Sequence, residues 1–87
     1  MKGSPTTWKN PLGSQAFAVR LRELRKKRGF SQQKLATEAE IDRSTVKRIE
    51  LREVTPTLDV LISISRALDL KLSELMDESA IVTLDKK

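Results

Sequence analysis

An all-α fold of five short helices is what this sequence predicts, and three observations carry it. Apolar residues recur at spacings of three and four through most of the chain, the period of one helix face. Two of those periodic stretches are preceded by good N-cap residues, Ser31 and Asp42. Only one run has β-branched character, Ile-Val-Thr-Leu at 81–84. The 87 residues leave room for a single small domain. A domain of this size buries roughly 60% of the surface of its unfolded chain, so a partner subunit would add stability.

Residues 1–14 hold two prolines and two glycines without apolar periodicity, and read as a flexible arm. Trp8, the single tryptophan, is expected to pack loosely on the domain or on a partner. The first helix is expected over 15–28, with Ser14 as N-cap and Gly29 just past its end. Phe17, Leu21 and Leu24 form its apolar stripe, Arg25 stands at the edge of that stripe, and Phe30 tucks under as the chain turns. Ser31 caps a second helix over 32–39, where Leu35, Ala36 and Ala39 share one face. Small alanines permit close approach to a neighbouring helix. Ile41 is expected to be buried in the turn that follows, and Asp42 to cap the third helix through its side-chain oxygen.

Beyond the loop at 55–57 a fourth helix is expected over 58–68, with Leu58, Leu61, Ile64, Ala67 and Leu68 at helical spacing. Val60 and Ile62 fall partly outside that stripe. Leu72, Leu75 and Met76 indicate a last short helix. The domain is thus placed at 15–78, with a tail at 79–87 whose apolar run could pair with a second copy as a strand.

Composition excludes several classes of function. The chain has no cysteine and no histidine, so disulfides and thiolate or imidazole metal sites are ruled out. The Cys nucleophile and the His base are missing as well. No phosphate-binding loop, Gly-rich fingerprint or metal cluster is legible, and neither an enzyme nor a cofactor is expected. No apolar run reaches the length of a membrane span, and the N-terminus does not read as a secretory signal. The lack of cysteine fits a reducing cytoplasm. With three aromatic residues in all, the chain also lacks the stacking platform that single-stranded RNA favours.

Charge is unevenly placed. Residues 1–52 carry 13 Lys+Arg against 5 Asp+Glu, a net +8, while 53–87 carry a net −3. A polyanion should therefore dock on the first half and leave the second for protein contacts. The third helix sharpens this. At 100° per residue Arg43, Ser44, Lys47 and Arg48 occupy an arc of about 140°, and Val46 and Ile49 fall opposite. The helix is held by its back and offered by its front.

Leu21, Leu24 and Arg25, then Ser31-Gln32, Leu35-Ala36, Ile41, Ser44, Val46, Ile49-Glu50, Pro56, Leu58, Leu61, Ala67-Leu68, Leu72 and Leu75 stand in one consistent register. Over about 60 residues the chain resembles the Cro/repressor family of helix-turn-helix proteins, the Xre or lambda repressor-like type. The resemblance implies a five-helix domain whose third helix enters the major groove of double-stranded DNA. Arg43 would then reach a base edge, its planar fork matching guanine O6 and N7. Ser44, Lys47 and Arg48 would touch bases or phosphates, and Gln32 would bond a phosphate beside the free N–H groups of the second helix. Arg25 and Glu50 match a structural ion pair of the family.

Three positions depart from the family pattern, which often has glycine where Glu40, Arg52 and Asp69 stand. Each helix must then end on a non-glycine residue in left-handed geometry, or end differently. Two functions are carried forward. The first is a sequence-specific transcriptional regulator, a repressor, bound as a homodimer to a palindromic operator. Its dimer contacts would come from the acidic half, through Val60, Ile62, Met76 and the tail. The alternative is an antitoxin that neutralises a partner toxin and represses its own operon.

Overall fold

The computed structural model describes residues 11–77. Trp8 and the tail at 79–87 lie outside the described residues. Five helices follow in order: α1 (Pro11–Lys27), α2 (Gln32–Ala39), α3 (Arg43–Glu50), α4 (Leu58–Ala67) and α5 (Leu72–Leu75). No strand occurs among the described residues.

The apolar stripes meet in one core. Phe17 and Leu21 of α1, Leu35, Ala36 and Ala39 of α2, Val46 and Ile49 of α3, Ile64 of α4, Leu68 and Leu75 are all buried together. Helix α2 sits centrally, packed on α3 and α4, while α1 packs on α3 and α5 closes against α4. Ala36, fully buried, removes side-chain bulk from the central helix, and so allows the close contacts that a larger residue would prevent. Across the end of the bundle, Arg20 donates from Nε to the Leu75 carbonyl at 3.1 Å and from Nη2 to the Glu74 carbonyl. That side chain ties α1 to the last turn of α5 and satisfies carbonyls that a four-residue helix leaves open.

Four of the five helices end in the same way, through paired backbone bonds from two successive residues just past the helix. Phe30 N–H donates to Arg25 and Gly29 N–H to Lys26; Ile41 to Ala36 and Glu40 to Thr37. Glu53 donates to Arg48 and Arg52 to Ile49; Leu70 to Ser65 and Asp69 to Arg66. Each is the Schellman arrangement, which needs one residue in left-handed geometry. Gly29 provides it at φ +74°, and Glu40, Arg52 and Asp69 adopt it at φ 59°, 64° and 58°. The chain therefore keeps the geometry that glycine favours without the glycines. After three of these caps an apolar residue, Phe30, Ile41 or Leu70, packs back onto the core.

At the N-termini, Ser31 accepts from Lys34 N–H at 3.0 Å and Thr57 from Val60 N–H at 3.2 Å. Three expectations need correction. Helix α1 starts at Pro11, four residues earlier than the stripe from Phe17 indicates, so Ser14 lies inside it and is not its N-cap. Proline suits a first helical position because its φ is already helical and it has no N–H to lose. Asp42 has the extended backbone of an N-cap, but its side chain makes no capping bond. Leu58 belongs to the apolar spacing of α4 yet is 62% exposed, as the first residue of that helix, at the edge of the bundle's apolar stripe.

Candidate nucleic-acid interface

The turn between α2 and α3 sets up the site. Ile41 docks on the core immediately after the left-handed Glu40, and Asp42 starts α3 two residues later. With Val46 and Ile49 buried beneath it, α3 can only present its opposite side to solvent. Arg43, Ser44, Lys47 and Arg48 are all exposed there. The helix has three cations on that side, and the carboxylate of its last residue, Glu50, is turned inward and buried. A positive ridge on a short, rigidly backed helix is suited to a groove lined with phosphates.

Glu50 is the centre of the buried polar chemistry. Arg25 Nε donates to its Oε2 at 2.7 Å, and Arg25 Nη2 to its Oε1 at 3.0 Å, a two-point fork. The third arm of the guanidinium, Nη1, donates to the Phe30 carbonyl at 2.9 Å. Gln32 Nε2 donates to Glu50 Oε1 at 3.1 Å, and the half-exposed Arg22 lies 3.8 Å from the same oxygen. The Glu50 side chain is 1% exposed and that of Arg25 is 9%. Burial would raise the Glu50 carboxyl, but the bonds from Arg25 and Gln32, with the charges of Arg25 and Arg22, outweigh it. They hold the carboxyl below its ordinary value of 4.5. No buried side-chain nitrogen or oxygen among the described residues lacks a hydrogen-bond partner.

Gln32 stands at the start of α2, where it was expected, and makes in addition a bond that was not expected. It is half-buried at the start of α2, and its amide is engaged with the last residue of α3. No local pattern could have shown this, because the two residues are 18 apart and meet only when the helices pack. The contribution of Arg22 was partly legible, since it stands three residues before Arg25 on the same helix. At the corner between α1 and α2, Arg28 and Lys34 each lie 5.9 Å from the centroid of the Phe30 ring. They add positive charge beside the start of α2. Among the described residues no group of His, Cys, Asp or Glu could hold a metal ion, and no helix is long and apolar enough to cross a membrane.

Comparison with known proteins places this geometry in context. The sequence pattern of a family described as helix-turn-helix matches residues 21–75, from the core of α1 to the end of α5. The crystal structure of the restriction-modification controller protein C.AhdI from Aeromonas hydrophila is 36% identical, with a TM-score of 0.70. That similarity covers 72% of this chain and 96% of the controller protein. The clp gene regulator ClgR from Corynebacterium glutamicum shares the fold at 21% identity and a TM-score of 0.75, over 88% of this chain and 81% of that one. A point variant of the restriction-modification controller protein C.Esp1396I shares it at 19% identity and a TM-score of 0.74, over 86% and 97% of the two chains. No curated relative matches the chain.

Proposed function

We propose that this chain, which belongs to the Xre-type, lambda repressor-like helix-turn-helix family, is a sequence-specific DNA-binding regulator of transcription. The observation that carries this reading is α3, whose cations face solvent while Val46 and Ile49 fix it to the core. In this reading α3 enters the major groove. Arg43, at its start, reads a base edge through the guanidinium fork. Ser44 bonds a neighbouring base, and Lys47 and Arg48 hold bases or phosphates one turn on. Gln32 and the free N–H groups of the first turn of α2 take a phosphate and set the register. The regulators among the proteins of similar fold support the same class of function, and the regulatory sign proposed is repression.

The operator is taken to be a palindrome read by a homodimer, with half-sites one helical turn apart, about 34–36 Å. Val60 and Met76 pack against the core of their own chain. Ile62, 40% exposed, and Leu58, 62% exposed, stand four residues apart on one face of α4 and are the better candidates for the dimer contact.

Titration of genomic DNA fragments, followed by sequencing of the bound fraction, tests the reading. The expected result is one enriched palindrome, with affinity falling steeply as salt rises. Arg43→Ala should cost about 1–3 kcal/mol on that site and relax the preference at one base pair. Absence of any binding at ~50 mM salt, where phosphate contacts are strong, would overturn it.

A further inference from the structure

Glu50 is buried and ionised, and an ionised carboxylate only accepts hydrogen bonds. The Gln32 side chain therefore has to turn its nitrogen, not its oxygen, toward Glu50, as the 3.1 Å contact from Nε2 to Oε1 has it. That orientation has a consequence for the exposed end of the side chain. An amide nitrogen carries two N–H groups, and only one is needed for Glu50. The second N–H stays available on the nitrogen side of a rotamer that is already fixed. Phosphate oxygens also only accept, so this second N–H, and not the amide oxygen, is what a phosphate could take.

From this geometry we infer that Glu50 is a positioning residue for DNA, which holds the Gln32 amide in place by one N–H and leaves the other to donate to a phosphate. The inference rests on the DNA-binding reading above and deepens it. Arg25 anchors the arrangement: its fork holds both oxygens of Glu50, at 2.7 and 3.0 Å, so the carboxylate cannot swing away from Gln32. Because Arg25 also donates to the Phe30 carbonyl, the same guanidinium fixes the backbone two residues before Gln32. The pair thus does more than tie α1 to α3. It fixes the first residue of α2 from its side-chain end and from the chain that leads into it. A phosphate contact made by a side chain already ordered costs less rotamer freedom than one made by a free glutamine.

Removing one charge alone would leave the other buried and unpaired, and the variant could fail to fold. Replacing both with apolar side chains of similar length, in Arg25→Met/Glu50→Met, avoids that and removes the acceptor for Gln32. The two-residue variant, Gln32→Ala, and all three changes together are to be compared with the native chain in binding to the selected palindrome and to an unrelated duplex. Circular dichroism checks that each is folded. If Glu50 acts through Gln32, Gln32→Ala and the paired variant should each weaken binding about 3- to 10-fold on both duplexes. The three changes together should then weaken it no further than either. Losses that multiply, or a folded paired variant that binds as the native chain does, would overturn the inference while leaving DNA binding intact. Failure of the native chain to bind any duplex would instead remove the reading on which it rests.

A measurement on the native chain removes any dependence on folded variants. In the nitrogen-15 spectrum the two side-chain N–H signals of Gln32 should be widely separated, and one should move on addition of duplex. Signals like those of a solvent-exposed glutamine, unmoved by duplex, would overturn the inference.

Discussion

Glu50 shows how much one buried side chain can be asked to do. It accepts from Arg25 twice and from Gln32 once, and it closes the ends of three helices onto one carboxylate. Arg25→Ala leaves that carboxylate buried without its counter-ion, at a cost of about 3–5 kcal/mol. In a domain with a total stability of about 5–15 kcal/mol this is severe, and thermal unfolding should show a fall of more than ~10 °C. The pH dependence has a definite sign. The folded carboxyl lies below its ordinary value of 4.5, so its contribution is fully present above that value. It is lost as pH falls through the lower, folded value. Melting temperature should therefore drop below pH ~4.5 in the native chain, and drop less in the Arg25→Met/Glu50→Met variant.

At the scale of elements, the helix ends are the most distinctive feature. Left-handed geometry at a non-glycine residue costs about 1–2 kcal/mol, and the chain accepts it at Glu40, Arg52 and Asp69. Each is compensated by two backbone bonds and, after Glu40 and Asp69, by an apolar residue that docks on the core. Glu40→Gly should relieve the strain and, after the added entropy of the unfolded glycine, stabilise by about 0.5–1 kcal/mol. Asp69→Gly should gain less, because aspartate tolerates this region better. Chemical denaturation of the two variants beside the native chain measures both. The caps matter to function because Glu40 sets the angle at which α3 leaves α2, and so the tilt of the cationic ridge.

The whole molecule divides its charge between the two halves of the sequence. The basic half carries α1 to α3, and the fourth helix exposes Leu58 and Ile62. Both side chains are too exposed to matter much for the stability of a single chain. Leu58→Lys/Ile62→Lys should leave the melting of an isolated subunit within about 0.5 kcal/mol of the native chain. In the dimeric reading the same variant should sediment as a monomer and bind the palindrome at least ~10-fold more weakly, because the second half-site no longer adds to the first. Unchanged sedimentation would place the dimer contact elsewhere.

Much of this architecture was legible from residue spacing alone. The stripe Phe17-Leu21-Leu24, the cap at Ser31 and the turn at Ile41 depend on neighbours within a few residues, and helical periodicity reads those directly. The same holds for α3, whose arc of cations follows from 100° per residue and nothing else. The resemblance to the helix-turn-helix family, and not spacing, marked Glu40, Arg52 and Asp69 as places where a left-handed residue other than glycine would be needed, and all three adopt that geometry. Other features depended on which helix packs on which, and spacing is blind to that. The start of α1 at Pro11, the exposure of Leu58 and the strap from Arg20 to α5 are of this kind. So is the bond from Gln32 to Glu50. By itself, then, the sequence determined the helices and the faces they bury, since both are local consequences of period and capping. Only the tertiary structure decided that Gln32 answers to Glu50, because a hydrogen bond across 18 residues exists only once two helices have been brought together by a shared core.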